Sequence, residues 1–383
     1  MKKTNLTLMV FTLMSFVLAM ISLAFNGILD IVAQSMNISV ASSGLLNTMY
    51  AFGAAFGAPI TLVAFRRIER VRMLKIMLSI TILMTIALVF AQSFWQLLIT
   101  RLIMGISANS YGVLAISMVV SLSTRERQGR SMAYYFMGSS LALVIGIPMT
   151  RALSAVLEWR SIFWILSVFM LLSLIYFLLF LPKGDHSSTK LELKKELQYF
   201  KNGKILLIFA FTLIMFIGYN AFYTYVTPYL LLLFPSLKAV MSLILVLIGI
   251  ASFIGNLLGG IVSDRIGYAK SMLLGGGLML TLTLLILVFQ PVSGFSVFLV
   301  ILWILNGWFT GLQLNTGIAQ VTENKSSFMI SINSSSIQLG GAIGSSMAAV
   351  VINLSGIQNI VYITLAASII MLLLQWTSMK KYS

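Results

Sequence analysis

The chain has no cysteine and a single histidine among its 383 residues. Without thiols there is no disulfide, no thiolate metal site and no cysteine nucleophile. The one imidazole, His186, stands in a polar stretch and leaves a histidine-built metal centre short of ligands. Charge is scarce as well: Asp, Glu, Lys and Arg make up 9%, where a soluble domain carries about a quarter. The nine acidic residues form no loop cluster with His or Cys, which argues against a membrane-embedded enzyme, for instance one acting on lipid-linked sugars. No ring of charge or filter sequence points to a channel. Gly275-Gly276-Gly277 and Gly340-Gly341-x2-Gly344 have no accompanying strand or Lys-Ser/Thr pair, so they are not phosphate loops. No nucleotide or other cofactor is implied, and an ion gradient is the expected energy source.

Apolar residues are abundant, at 59%. Lipid must therefore be the solvent for most of the surface. A helix needs about 20 apolar residues to cross a bilayer, and twelve such runs fit: 6–30, 41–65, 73–93, 95–121, 131–156, 160–182, 204–230, 239–262, 270–290, 296–320, 327–353 and 358–378. The runs are continuous rather than alternating, which selects helices over a barrel. The expected fold is an all-α membrane protein of twelve transmembrane helices in two six-helix bundles.

The formal charge of +16 is a topology signal, not a nucleic-acid signal. All but four of the 25 Lys and Arg fall on one side if both termini share it. They include Lys2, Lys3, the 66–75 cluster, Arg125, Arg127, Arg130, Lys380 and Lys381; the exceptions are Arg101, Arg151, Arg160 and Lys238. That bias puts both termini on the cytoplasmic side of the membrane, with anionic lipid as a secondary partner. Lys2 and Lys3 before an apolar run look like a signal peptide. The run is too long and lacks a small-residue cleavage site, so it reads as an uncleaved first helix.

Residues 183–203 are the only long polar stretch, and they divide the chain into bundles 1–182 and 204–383. Within it, Leu193, Leu197 and Phe200 recur at helical spacing among charges. This is either a short amphipathic helix on the inner membrane surface or a solvated tether. An offset of 198 relates the halves: Gly57 to Gly255, Gly146 to Gly344, and Asp30 to Pro228. The loop Gly260-x3-Asp264-Arg265-x-Gly267-x2-Lys270 has a degenerate copy at 65–72, with Arg66 in the place of Asp264. Parallel repeats of this kind enclose a site near the bilayer midplane.

At these residues the chain resembles the major facilitator superfamily. The Gly260–Lys270 loop is similar to that family's signature between spans 8 and 9. Arg101-x3-Gly105 resembles a second motif, and Gly138, Gly146 and Pro148 resemble the antiporter motif, with Ile147 inserted between Gly and Pro. Gly27-Ile28-Leu29, Tyr50-Ala51, Ile68-Glu69-Arg70, Gly146-Ile147-Pro148-x2-Arg151 and Tyr223-x-Tyr225-x2-Pro228 are similar to bacterial sugar-efflux and purine-efflux pumps of the drug:proton antiporter-1 group. The resemblance implies export by alternating access, coupled to proton entry. One departure bears on coupling: such pumps commonly carry Glu where this chain has Ser22, and often Pro where it has Asp30.

Asp30 is the only acid near membrane depth. It is either a buried proton carrier or the end of span 1 in outer water. Arg101 either attracts substrate or lowers the pKa of a nearby carboxylate, or it snorkels to the interface. Together Asp30 and Arg101 are the expected proton-coupling pair. Gly260, Asp264, Arg265, Gly267, Gly146 and Pro148 are the expected gating residues. A carboxylate at the end of span 8 opposes that helix's dipole, so Asp264 is better turned toward a neighbouring helix or an Arg, as a clamp on the inner side. The alternative is a loop that only sets topology. Substrate candidates are Asn26, Asn109, Tyr219, Asn220, Tyr223, Asn306, Gln313, Asn333 and Gln338, with Trp303 and Trp308 as stacking faces. Each is alternatively an interhelical hydrogen bond. As a set they fit a small neutral solute, sugar-like or purine-like, carried by a monomer. A multidrug exporter and an uncoupled facilitator are the rival readings.

Overall fold

The computed structural model describes residues 2–64, 68–123, 128–181, 197–290, 292–322 and 326–382. The first-half loop copy around Arg66, Arg125, Glu126, Arg127, Glu323 and the linker with Asp185, His186, Glu192 and Glu196 lie outside the described residues. No strand occurs among those described.

Six spans build the first half. They are α1 (Lys2–Ser35), α2 (Val40–Ala64), α3 (Arg70–Val89), α4 (Phe94–Ser121), α5 (Gln128–Leu141) running on into α6 (Ile147–Leu153), and α7 (Trp159–Phe180). The second half repeats the plan. α8 (Gly203–Tyr223) runs on into α9 (Val226–Leu233), followed by α10 (Met241–Ile266), α11 (Tyr268–Phe289), α12 (Ser293–Val321), α13 (Ser327–Ser355) and α14 (Val361–Tyr382). Among the described residues eleven helices are long and apolar enough to cross a bilayer. The twelfth span is α2, whose 25 residues rise about 37 Å against a hydrocarbon core of about 30 Å. Of the linker only a turn at Leu197–Lys201 is described.

Local chemistry sets the ends. Ser93 and Gln96 form a reciprocal capping box at the start of α4. The Asn202 side chain accepts from the Lys204 N–H at 3.0 Å and opens α8, and Ser326 does the same for Met329 in α13. Gly267 separates α10 from α11 at φ +83°, a left-handed value that costs glycine nothing. The bend from α5 to α6 is a π turn over Ala142–Gly146, where the Ile147 N–H reaches back to the Ala142 carbonyl. Pro148 explains it: the residue has no N–H to give and crowds the carbonyl four residues earlier.

Both halves break their first helix at corresponding places. α1 leaves helical geometry at Ile28 (φ −135°, ψ 19°), and α8 ends before Tyr225 (φ −106°, ψ 13°), after which α9 begins.

The chain forms two compact units, Met1–Ser39 with Met49–Ser187, and Val40–Thr48 with Ser188–Ser383. The opening turns of α2 pack within the second unit, where the Tyr225 hydroxyl donates to the Ala41 carbonyl at 3.0 Å and the Thr48 and Ser345 hydroxyls meet at 2.6 Å. In the first unit, Phe25 stacks on Phe163 at 5.2 Å and Phe11 lies 4.8 Å from Phe177. In the second, Ile205, Phe211, Met215, Met272, Leu314, Ile318 and Met371 make one buried cluster.

The duplication extends to the joints between helices. A side chain at Gly57 would collide with the backbone of Ile106, and one at Gly255 with the carbonyl of Leu305. Gly146 lies against Met20, and Gly344 against the carbonyl of Ile217. Helix pairs in lipid gain from such close approach, since van der Waals contact must replace the absent hydrophobic drive.

Candidate functional site

In the first unit two guanidinium groups close on α1. Arg101, from α4, is fully buried. It donates to the Ile21 carbonyl at 2.7 Å and the Ser22 carbonyl at 3.3 Å. Its guanidinium also lies 4.9 Å from the Phe25 ring and 4.4 Å from the Tyr50 ring. Carbonyl dipoles and ring faces thus take up the charge. The snorkelling alternative does not hold for a side chain so enclosed.

Asp30 pairs with a different arginine from the one expected. Arg151 Nη1, from α6, lies 2.5 Å from Asp30 Oδ1 and 3.3 Å from the Gly27 carbonyl. The pair is largely shielded, with side chains 8% and 26% exposed for Arg151 and Asp30. Asp30 sits within α1, which runs on to Ser35, so it does not end the helix. Arg101 and Arg151 both stand in motifs quoted above, so motif position does not choose between them. A bond between residues 121 apart leaves no local signature.

Nearby charges are few. On α7, Arg160 pairs with Glu158 at 2.6 Å and donates to the Ala91 carbonyl at 3.1 Å. Asn26 is buried beside the α1 break. The Asn109 amide is committed to the Ala54 carbonyl at 2.7 Å and ties α4 to α2. A groove of about 700 Å³ also runs along α1 and α5, lined by Met9, Thr12, Phe16, Ser131, Tyr134 and Met137 among others.

The second unit holds the aromatic candidates. Tyr219 stacks on Trp303 at 5.0 Å with planes 4° apart, and on Tyr223 at 5.1 Å. The amide nitrogens of Asn306 and Gln313 donate to the Gly275 and Gly259 carbonyls at 2.9 and 2.8 Å, joining α12 to α11 and α10. Their other ends are unspent. Asn306 Oδ1, Gln313 Oε1, the Tyr219 hydroxyl and Trp308 Nε1 are buried without a hydrogen-bond partner. Trp308 lies beside the Tyr219 hydroxyl without the geometry of a bond. Unpaired buried polar atoms are costly and ask for water or a ligand. A cavity of about 10 Å³ touches Tyr219, Thr364 and Ser368, enough for about one water.

Asn333 belongs to a chain that sequence reading missed. Thr212 Oγ1 meets Asn333 Oδ1 at 2.7 Å, and Asn333 Nδ2 donates to Asn315 Oδ1 at 2.8 Å, so α8, α13 and α12 share one relay. Thr212 carries no obvious clue, since hydroxyls in helices usually bond their own backbone, as this one also does to Ile208 at 2.9 Å. Asn220 bonds its own helix at Phe216, 3.2 Å away, and faces Gly341. Gln338 is half-buried.

Of the expected gate, Gly260, Asp264, Arg265 and Gly267 fall where α10 ends. Asp264 and Arg265 are exposed, and among the described residues neither enters an ion pair. Gly146 and Pro148 sit at the π turn and the start of α6.

A sequence model described as Major Facilitator Superfamily matches residues 11–236 and 234–381. An uncharacterized MFS-type transporter of Bacillus subtilis (strain 168), YbcL, is 26% identical over 359 residues, which span 92% of this chain and 90% of that protein. The inner membrane transport protein YdhP of Escherichia coli (strain K12) is 25% identical over 353 residues, with the same shares of 92% and 90%. A probable sugar efflux transporter of Helicobacter pylori (strain ATCC 700392 / 26695) is 24% identical over 360 residues, again covering 92% and 90%. Among solved structures, a D-xylose-proton symporter superposes with TM-score 0.77 at 14% identity over 97% of this chain and 96% of that one. That likeness concerns the fold.

Proposed function

The chain belongs to the Major Facilitator Superfamily, and from that premise we propose that it exports a small neutral solute, sugar-like or purine-like, in exchange for protons. It is a multi-pass transporter, not an enzyme. The proposal adds direction, coupling ion and substrate class, with both termini in the cytoplasm of a bacterial inner membrane and a monomer as the working unit.

One observation carries the substrate class. Tyr219, Asn306, Trp308 and Gln313 turn four unpartnered polar atoms into the second unit, and α12 has no charged residue along its length. Neutral donors and acceptors beside aromatic faces suit hydroxyl-rich or heteroaromatic solutes, and a strongly cationic drug would find no counter-charge on this helix. The name of the Helicobacter relative, a probable sugar efflux transporter, is consistent with export. Asp30 supplies the titratable group, with Arg101 holding α1 behind it. Asp264 and Arg265 serve as the inner clamp in the state where they find partners, and the turn at Gly146 and Pro148 lets α5 and α6 bend.

The test uses everted membrane vesicles from cells making this protein, with labelled lactose and labelled hypoxanthine as probes. Uptake of one of them should follow an imposed pH gradient and collapse with a protonophore. Uptake indifferent to the gradient would replace the antiporter with a facilitator, a reading that Ser22 favours because it cannot carry a proton. Transport of cationic dyes in preference to both probes would replace the neutral-solute reading.

A further inference from the structure

Resting on the proton-coupled reading above, we propose that Arg151 is the coupling partner of Asp30, and that the pair latches the broken part of α1 to α6. Four features meet at this point. α1 loses helical geometry at Ile28. The Gly27 carbonyl, one residue earlier, takes a donor from outside the helix, Arg151 Nη1 at 3.3 Å. The same nitrogen holds Asp30 at 2.5 Å. Arg151 itself rides on the short helix that follows the π turn at Ala142–Gly146, and π turns mark places where a helix can shift by a residue.

The latch depends on the charge of Asp30. Ionised, it completes a shielded pair, and Arg151 can serve the Gly27 carbonyl at the same time. Once protonated, Asp30 no longer holds the guanidinium in place. A buried cation left with one long carbonyl contact is poorly accommodated, so the segment after Ile28 loosens from α6. Other charged and titratable groups packed against α1 do not substitute. Arg101 on α4 is engaged with the Ile21 and Ser22 carbonyls and the Tyr50 ring. On α7, Arg160 is bonded to Glu158 and to the Ala91 carbonyl. Arg151 is a positioning residue here, since the proton sits on Asp30.

The full-length protein in liposomes tests this through amide hydrogen exchange of the α1 segment after Ile28, read relative to the intrinsic rate at each pH. In the wild type, protection should fall about tenfold once the medium is acid enough to protonate Asp30, the discounted effect of breaking a partly shielded pair. Asp30→Asn should show the low protection at both pH values. Arg151→Gln should do likewise, and combining it with Asp30→Asn should cost nothing more. Arg151→Lys keeps the charge and should retain a weaker pH response, which a purely structural role would not produce. Wild-type protection that ignores pH, or an Asp30→Asn segment as protected as wild type at neutral pH, would overturn the latch. If exchange responds as expected while vesicle uptake ignores the pH gradient, the proton-coupled reading fails and the latch stands as a pH-sensitive joint only.

Discussion

Replacing Arg101 by alanine should destabilise the protein by about 3 kcal/mol. The residue gives two charge-assisted bonds to carbonyls, at 2.7 and 3.3 Å, together about 3–5 kcal/mol with the longer one at the low end. Contacts with the rings of Phe25 and Tyr50 add about 0.5–1 kcal/mol each. Against this stands the cost of holding a guanidinium away from water, several kcal/mol after relaxation. The carbonyls of Ile21 and Ser22 also keep their helical bonds, so their loss is partial. Arg101→Lys retains the charge and a ring contact but not the fork, and should lose about half as much. Thermal unfolding of purified protein in one detergent, across wild type, Arg101→Lys and Arg101→Ala, should rank in that order. If the alanine variant matched or exceeded wild type, burying the cation would be a net burden, and its place in the bundle would need a functional cause.

Three further outcomes are expected. Tyr219→Phe removes a buried hydroxyl with no partner, so stability should hold or rise by about 1 kcal/mol. Its transport KM for the accepted probe should nevertheless rise about tenfold, one hydrogen bond's worth; an unchanged KM would take that hydroxyl out of the site. Asp264→Asn should cut the transport rate without changing unfolding temperature, and normal rates would reduce the loop to a topology signal. Gly255→Leu should cost about 3 kcal/mol by forcing α10 off α12, as Gly57→Leu should between α2 and α4, and thermal unfolding of each variant reads this directly.

The architecture was legible because lipid imposes a coarse rule. A run of apolar residues long enough to cross the bilayer has few options, and the spans from Lys2 to Tyr382 follow those runs. The repeat was legible too, and the pairing of Gly57 with Ile106 and of Gly255 with Leu305 shows why those glycines recur. Partner choice was not. Asp30 was expected beside Arg101, yet the turn of α6 brings Arg151 to it, and nothing in the spacing of residues encodes that turn except Pro148. Amides posed a similar difficulty. Asn109, Asn306 and Gln313 look alike in sequence, but each commits its nitrogen to a different neighbouring helix. Of these three, Asn306 and Gln313 keep a buried oxygen unmatched. Asn315 stands among Gln313, Thr316 and Gln320 with nothing to single it out, and its link to Asn333 needed α12 and α13 both in place.

The breaks at Ile28 and at Tyr225 arose at matching positions of a repeated plan, yet they have acquired different chemistry. One is bounded by Asp30 and Arg151, the other by Pro228 and by a phenol bonded to the Ala41 carbonyl. An ionisable joint responds to the medium, whereas an imino ring and a phenol do not change charge at physiological pH. Under the latch proposed above, one of these two joints answers to acidity and the other is indifferent to it. With the ionisable joint at the first of these two breaks, the proposed proton response would sit in one half, and the other half could diversify its aromatic and amide lining without disturbing it.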